Sequence, residues 1–310
     1  MTVPRSVPET EAGVGTTEAE ATAAIDAAPP APETPARPTR RRSGVAFWMA
    51  VGWLAVVAFC ALFATWLPVA DPIIPQVSDN LAPPGPNNPL GTDGLGRDTL
   101  SRLVNGARVS LTVSLTAVTV GIVVGGGLGM MVGYFRGWFE TVIMRIIDVI
   151  LAFPGLVLLL VLLAYMGRSL VVISLVIGFL AIPIYTRVAR ANTLAVTQRE
   201  FIRTARTMGA GHRRILVREI LPNVVLPVAA FGLVAMGVVI VLEGTLAFLG
   251  LSVEAPQPTW GGMIFDGRRY LDEAPWVAAI PAAAMFLTVL SLNFVGDTLR
   301  TRFDVKDSRL

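Results

Sequence analysis

Long apolar runs alternate with short polar segments along most of this chain. Two of the runs, Val45–Leu67 and Val109–Gly133, contain no charged residue. Because an α-helix rises about 1.5 Å per residue, each run is long enough to cross a hydrocarbon core of about 30 Å. Four further runs complete the pattern: Ile143–Met166, Leu170–Tyr185, Pro222–Leu249 and Pro275–Gly296. The pattern predicts an all-α integral membrane protein with six transmembrane helices.

The polar segments divide the chain into regions. Residues 1–44 are rich in alanine and proline and lack large apolar side chains, which predicts a disordered tail. Residues 45–67 form the first predicted span, and residues 68–108 a loop that includes an amphipathic helix. Residues 109–303 hold five more spans and a polar loop over residues 189–221. Residues 304–310 are predicted to be a short C-terminal tail.

The distribution of arginines among the loops predicts the orientation in the membrane. Residues 189–221 contain seven arginines and two glutamates, whereas residues 251–274 contain two arginines and four acidic residues. Loops rich in Lys and Arg stay in the cytoplasm. Both chain termini and the loop over 189–221 are therefore predicted to be cytoplasmic, and residues 68–108 external.

Composition excludes several classes of protein. With 54% hydrophobic and 15% charged residues, the chain is not a soluble globular protein, which carries about 25% charged residues. Lys306, the one lysine, follows no glycine-rich loop, so a P-loop ATPase is excluded. The chain has one histidine, His212, and one cysteine, Cys60, which are too few for a zinc centre built from these side chains. A net charge of +3 without a basic patch among aromatics argues against nucleic-acid binding.

The most informative polar stretch is the arginine-rich segment, residues 199–222. Phe201, Ala205 and Met208 recur at helical spacing and predict one apolar face of a short helix. Gly209 and Gly211 then end that helix. From spacing alone two interpretations stay open: a loop that lies on anionic headgroups, or a surface that binds a partner.

A second notable stretch is the aspartate segment, residues 91–108. Its glycine-rich turn precedes Asp98, which is predicted to be the N-cap of an amphipathic helix. That helix is predicted to lead into the second span. A capped surface helix is the simplest interpretation. Asp93 and Asp98 lack the alternating spacing of a calcium loop, so no metal site is predicted.

Three acidic residues lie within or at the ends of the predicted spans: Asp148, Glu243 and Asp297. Charged groups are costly in hydrocarbon, so these side chains are expected to face the bundle interior or an aqueous edge. Arg145 and Arg300 lie close to Asp148 and Asp297, which favours ion pairs or exposed carboxylates over substrate contacts. For Glu243 a pathway role and a structural role stay equally open. The run Gly125–Gly127 with Gly129 predicts a packing face for a neighbouring helix.

The arginine-rich segment resembles a known signature. Pro222 follows Gly209 by thirteen residues, and Ala205 precedes Gly209 by four, as in the cytoplasmic EAA signature of ABC-transporter membrane subunits from binding-protein-dependent importers. Arg203 and Thr204 replace the first two residues of the triplet, which leaves open the polar contact that docking uses. In that family the helix docks in a groove of the ATPase subunit. The resemblance implies a coupling contact that includes Glu200, Phe201, Ala205, Met208, Gly209, Ile220, Leu221 and Pro222.

Two further stretches point to one branch of that family. Residues 89–111 are similar to the LGTDxxGRDxxSRxxxGxRxSL signature of the C-type dipeptide/oligopeptide permease subunit. Residues 243–263 resemble the EASLSFLGLGVxPPxPxWG run of the same family. The positions that carry the first signature are Gly91, Thr92, Asp93, Gly96, Arg97, Asp98, Ser101, Arg102, Gly106 and Arg108.

The resemblance implies the type I ABC importer permease fold in the plasma (inner) membrane, with a cytoplasmic coupling helix. It implies a non-catalytic subunit that forms half of a pore with a second, homologous permease subunit. Two ATP-binding subunits would bind ATP and Mg²⁺, an external peptide-binding protein would deliver dipeptides or oligopeptides, and this chain itself would hold no cofactor. The chain would also contact membrane lipid.

Other functions stay open at this point. Importers of nickel, and of some sugars or opines, use the same subunit architecture. A secondary transporter driven by an ion gradient is a rival of another class, but it predicts buried charged pairs near mid-membrane and usually more spans. A receptor-like or structural membrane protein would not need a glycine-broken amphipathic helix in a loop.

Overall fold

A computed structural model describes residues 44–75 and 79–307, with side chains up to residue 301. The predicted disordered tail over residues 1–44 lies outside the described residues apart from Gly44, which precedes the first helix. Throughout the described ranges the regular elements are helices. One isolated β-bridge pairs Thr92 with Asp98.

Nine helices run through the described chain. In order they are α1 Val45–Phe63, α2 Thr99–Phe135, α3 Gly137–Ala152, α4 Gly155–Met166, α5 Leu170–Thr197, α6 Glu200–Thr207, α7 His212–Phe248, α8 Trp260–Gly267 and α9 Trp276–Asp307. Helices α2 and α7 each contain a wider π-helical turn, over Gly121–Gly126 and Ile215–Ile220. The all-α prediction is confirmed.

Five helices are long and apolar enough to cross a membrane: α1, α2, α5, α7 and α9. The predicted third span, Ile143–Met166, is not one straight helix. It is divided between α3 and α4, whose axes meet at 84°. Pro154 explains the break, because its ring lacks an N–H and holds the preceding Phe153 in an extended conformation. The total of six spans holds when this bent pair is taken as one.

Four helices, α2, α5, α7 and α9, extend further than the apolar runs predict. The amphipathic helix expected to lead into the second span is continuous with it, because α2 runs for 37 residues from Thr99 to Phe135. Helix α7 also has 37 residues, and α5 continues to Thr197. Of the predicted loop over residues 189–221, only two short connections and α6 lie outside α5 and α7. At about 1.5 Å per residue, α2 and α7 are each about 55 Å long, so both project beyond the hydrocarbon core. The predicted tail over 304–310 is likewise helical as far as Asp307.

Helix α2 packs closely on α5 through glycines. Four of them recur every fourth residue: Gly121, Gly125, Gly129 and Gly133. A Cβ on Gly129 would lie 2.3 Å from the carbonyl oxygen of Thr186, and one on Gly125 would lie 2.6 Å from that of Ile182. The predicted packing face is therefore confirmed for Gly125 and Gly129, since only glycine permits this approach. Gly127 has no atom within 4 Å of its Cβ position and lies off that face.

The remaining helices surround the α2–α5 pair. Helix α7 packs on α2 and α9, and α1 packs on α2 and α9. Trp53 of α1 donates its indole N–H to the Thr288 hydroxyl of α9 at 3.0 Å. Helix α4 packs on α5. The arginine-rich segment lies at one end of this bundle, after α5, and the aspartate segment at the start of α2 is separated from it by the length of that helix.

Candidate functional site

Helix α6 buries one large side chain and exposes several others. Ile202 is fully buried, whereas Phe201 is 40% exposed and Met208 is 82% exposed. Ala205 is half-buried beside them. Because Ile202 holds the helix against the bundle, Thr204 lies on the opposite face, and Phe201 and Ala205 lie on one side of the helix between these two positions.

The turn after α6 requires glycine for its backbone. Gly209 has φ +80°, in the left-handed region that disfavours side chains with a Cβ. Its N–H donates to the Arg206 carbonyl at 3.0 Å, and the Ala210 N–H donates to the Ala205 carbonyl at 3.0 Å. No atom lies within 4 Å of a Cβ built at Gly209. The conformation of the turn, rather than any lack of space, therefore requires glycine.

A polar cluster holds α6 to the ends of α2 and α7. The Arg206 guanidinium carbon lies 5.3 Å from the ring centroid of Tyr134. The Tyr134 hydroxyl lies 2.8 Å from Nδ1 of His212. Together with Phe135, Ala210 and Ile215 these residues line a cavity of about 440 Å³. The cluster therefore joins three helices at one open cavity.

The other predicted coupling residues have different environments. Glu200 is exposed in the first turn of α6, and Leu221 and Pro222 are exposed at the start of the regular part of α7. Ile220 is fully buried. The structure thus brings Phe201, Ala205, Met208 and Gly209 to one surface and places Ile220 in the interior.

Asp93 organises the aspartate segment. One carboxylate oxygen accepts the backbone N–H groups of Leu95 at 2.9 Å and Arg97 at 3.0 Å. The other oxygen lies 2.8 Å from Nε of Arg97 and 3.3 Å from Nε of Arg102. Arg102 is buried and also donates to the Pro72 carbonyl at 3.2 Å. The carboxylate therefore compensates two guanidinium groups and fixes the turn between them.

The glycines of this segment permit close contacts. Gly91 has φ +74°, and a Cβ there would lie 2.6 Å from the Ala82 carbonyl and 2.7 Å from the Trp276 indole nitrogen. Gly96 has φ +75°. Buried Thr92 accepts the Ala82 N–H at 2.8 Å through its hydroxyl. The turn is therefore packed tightly against its own chain.

The start of α2 follows directly from this turn. Asp98 is the predicted N-cap, and its carboxylate accepts the Ser101 N–H at 2.7 Å. Gly106 faces Trp260, whose ring carbon Cδ1 lies 3.2 Å from a Cβ built at that glycine. Trp260 donates its indole N–H to the Leu103 carbonyl at 3.0 Å. Arg108 is exposed. Of the signature residues in this part of the segment, Arg108 is the one that faces outward.

Glu243 is fully buried among hydroxyl groups. Its carboxyl oxygens accept from Ser252 at 3.0 Å and from Ser110 at 3.4 Å. The Ser110 hydroxyl in turn accepts the backbone N–H of Trp260 at 3.3 Å. Within the described ranges no arginine lies within 4 Å of Glu243. Its contacts join α2, α7 and the loop before α8, which favours the structural role over the pathway role.

The ion pair expected for Asp148 has a different partner. Asp148 of α3 pairs with Arg187 of α5 at 2.5 Å, and not with neighbouring Arg145. A second pair joins the same helices, with Arg190 Nε donating to Glu140 at 2.7 Å. Asp297 is exposed, and in the part of the chain with described side chains it has no ion-pair partner. Its pairing with Arg300 is therefore not observed.

A larger cavity adjoins the aspartate segment. It has a volume of about 600 Å³ and is lined by charges of both signs: Arg97, Arg102, Arg168, Glu254 and Asp266. Arg168 donates to the Gly250 carbonyl at 2.6 Å, which fixes its position at the wall. No group of three metal-ligating side chains exists among the residues that the structure describes.

Comparison with known proteins decides the family. The profile described as "Binding-protein-dependent transport system inner membrane component" matches residues 102–306. The chain belongs to this family. It is therefore the membrane permease subunit of an ABC importer, a non-catalytic subunit of a system whose ATPase activity lies in partner subunits.

Curated relatives and solved structures agree with this assignment. The chain is 38% identical to the glutathione transport system permease protein GsiD of Escherichia coli O6:K15:H31 over 267 residues, which are 86% of this chain and 88% of that protein. The GsiD protein of Shigella flexneri serotype 5b is 40% identical over the same length. A chain of the inward-facing MetNI methionine ABC transporter superposes with a TM-score of 0.53 at 17% identity, covering 66% of this chain and 97% of that one. The last comparison supports the type I importer permease fold.

Sequence reasoning missed several residues that build these sites. Ile202 falls outside the Phe201–Ala205–Met208 pattern, yet it is the buried anchor of α6. Trp260 contacts Gly106 and Ser110 across more than a hundred residues, which no local spacing reveals. His212 stands in no recognisable sequence pattern, yet its Nδ1 lies 2.8 Å from the Tyr134 hydroxyl.

Proposed function

We propose that this permease imports dipeptides or oligopeptides. The observation that supports this substrate class is the cavity beside the aspartate segment, whose walls carry the Arg168 guanidinium and the carboxylates of Glu254 and Asp266 in addition to Arg97 and Arg102, which Asp93 compensates. A peptide has a carboxylate at one end and an ammonium group at the other, so a passage with both charges matches its termini. The GsiD relatives are named for glutathione, which is itself a short peptide.

We further propose that α6 is the coupling helix. Phe201 in this helix is 40% exposed and Met208 directly after it is 82% exposed, while Ile202 fastens the helix to the bundle. ATP-driven closure of the partner subunits would move α6. That motion would reach α5 and α7 directly, because α6 is joined to both by short connections.

The partners of this arrangement follow from the family. A second, homologous permease subunit would complete the pore, and two ATP-binding subunits would hold ATP and Mg²⁺. An external binding protein would deliver the peptide to the end of the bundle that carries the aspartate segment. Both chain termini would be cytoplasmic, which is the orientation that the arginine excess in residues 189–221 predicts.

Substrate class is tested by uptake. The complex is reconstituted in proteoliposomes with its binding protein, and labelled dipeptide uptake is measured against competing oligopeptide, glutathione or Ni²⁺. We expect competition by peptides and none by Ni²⁺. Exclusive competition by Ni²⁺ would contradict the peptide assignment.

Orientation is tested by thiol labelling in a Cys60→Ser background. A cysteine introduced by Gln257→Cys should react with an impermeant reagent added outside, and one introduced by Arg213→Cys only after the membrane is opened. The reverse pattern would overturn the predicted topology.

A further inference from the structure

Arg168 lies in the short turn between α4 and α5, on the wall of the larger cavity. Gly167 before it has φ +90°, and Ser169 after it caps α5 by accepting the Val172 N–H at 3.3 Å. The Arg168 guanidinium donates to the carbonyl of Gly250, just after the end of α7, at 2.6 Å. This bond joins the turn to the C-terminal end of α7 and fixes the guanidinium group beside the cavity.

The positive charge of Arg168 is not balanced within the described part of the chain. No carboxylate there lies within 4 Å of its nitrogen atoms, whereas Arg97 and Arg102 on the same walls share Asp93. The bond to Gly250 uses one of the five N–H donors of a guanidinium group. Arg168 is also half-buried rather than enclosed. Of the three arginines that line this cavity, Arg168 is therefore the one with charge and donors left for a ligand.

Two carboxylates on the same walls are also unpaired. Glu254 lies in the loop between α7 and α8, and Asp266 lies in α8. Both residues are exposed, and among the described side chains neither forms an ion pair. A dianion such as phosphate would meet both carboxylates, whereas a zwitterion can place opposite charges against Arg168 and against the acidic groups. The charges of the walls therefore favour a zwitterionic ligand.

The size of the cavity fits a short peptide. Its volume of about 600 Å³ lies within the range of about 300–1,000 Å³ that is usual for small-molecule sites. A guanidinium group binds a carboxylate through two parallel N–H···O bonds. Every unmodified peptide carries a C-terminal carboxylate, whatever its side chains are. A site that binds this group would therefore accept peptides of different sequence.

We propose that this cavity is a substrate site of the permease in which Arg168 binds the C-terminal carboxylate of the imported peptide. The proposal rests on the assignment of peptides as substrates, and it names the residue that recognises one end of them. The carboxylates of Glu254 and Asp266 would attract the ammonium group at the other end. The bond from Arg168 to Gly250 would hold the guanidinium group in place before the peptide arrives.

Binding of two matched peptides tests the proposal. The purified complex of permease and ATP-binding subunits, without the external binding protein, is titrated with labelled alanine tripeptide and with its C-terminal amide, which lacks the carboxylate. We expect the wild-type complex to bind the free acid at least about tenfold more tightly than the amide, because hydrogen bonds to a charged group are lost in the amide.

Three variants assign this preference to one side chain. In Arg168→Gln the free acid should bind as weakly as the amide. Arg168→Lys should keep part of the preference, because lysine keeps the charge but not the paired bonds. Arg269→Gln is the matched control, since Arg269 is another exposed arginine in the segment after α8 and does not line this cavity. It should keep the wild-type preference.

The outcomes separate a substrate contact from a structural one. An equal loss of both peptides in Arg168→Gln would mean that Arg168 only anchors the end of α7, and would overturn the proposal. A wild-type complex that binds the free acid and the amide equally, or binds neither, would also overturn it.

Uptake of the tripeptide by the complete wild-type system in proteoliposomes is measured alongside. Uptake without a preference at Arg168 would overturn this site and leave peptide import standing. Absence of peptide uptake would contradict the proposed function, and the site with it.

Discussion

The two signature regions of this permease, the aspartate segment and the arginine-rich segment, differ in how far the chain itself pairs their charges and buries their side chains. In the aspartate segment, Asp93 compensates Arg97 and Arg102, and Gly91 and Thr92 are enclosed by neighbouring residues of the same chain. In the arginine-rich segment, Phe201 and Met208 are exposed and Arg206 has no carboxylate within reach in the described chain. The side chains of the aspartate segment are paired and covered within this chain, whereas the arginine-rich segment exposes apolar and cationic side chains, as interfaces do. The comparison teaches that a similar density of signature residues can stabilise the chain in one place and leave an exposed apolar and cationic surface in another.

The largest expected effect on stability concerns the aspartate segment. Asp93→Ala removes the ion-pair partner of buried Arg102 and leaves the more distant Asp266 as the carboxylate that offsets its charge, which costs up to about 3–5 kcal/mol. We therefore expect a clearly lower thermal unfolding midpoint for the purified protein in detergent. Asp71→Ala is the matched control, because Asp71 is exposed and, within the described ranges, its carboxylate accepts one hydrogen bond, from the Ile73 N–H at 2.8 Å. Equal midpoints for the two variants would show that the aspartate segment is not a stabilising unit.

A smaller effect is expected where α2 packs on α5. Gly129→Ala places a Cβ 2.3 Å from the Thr186 carbonyl oxygen, so the helices must separate. Such overpacking costs about 1–3 kcal/mol. Gly127→Ala, two residues away on the same helix, meets no atom within 4 Å and should be neutral or slightly stabilising. If both substitutions lower the unfolding midpoint equally, the glycine contact with α5 is not the cause.

The smallest effect is expected at the ion pair between α3 and α5. Asp148 and Arg187 are both more than half exposed, so their interaction contributes about 0–1 kcal/mol. A double-mutant cycle with Asp148→Ala and Arg187→Ala should return a coupling energy in that range. A coupling energy of several kcal/mol would mean that this pair is as essential as the Asp93 network.

Sequence reasoning predicted the features that depend on neighbouring residues. The apolar runs predicted where the spans lie, the spacing of the glycines on α2 predicted a packing face, and Asp98 predicted the start of α2. These features follow from local spacing and from the chemistry of single residues.

The features that sequence reasoning missed depend on distant contacts. The bend between α3 and α4 is an exception, because it lies at Pro154, a residue within the predicted third span itself. Arg187 as the partner of Asp148, and Trp260 against Gly106, became visible only with the helices side by side. Pairings of this kind carry no signal in local periodicity.

The central claim is that the exposed face of α6 transmits ATP-driven motion. Gly209→Val tests it most directly, because a β-branched side chain disfavours φ +80° and should reorient the turn without any steric clash. Gly211→Val is the matched control, since Gly211 has ordinary extended backbone and equally open surroundings.

The measurement is stimulation of ATP hydrolysis by the loaded binding protein in the reconstituted complex. We predict that stimulation is lost in Gly209→Val at normal permease levels, and is retained in Gly211→Val. Wild-type stimulation in Gly209→Val would contradict the account, because the α6 turn would then play no part in coupling.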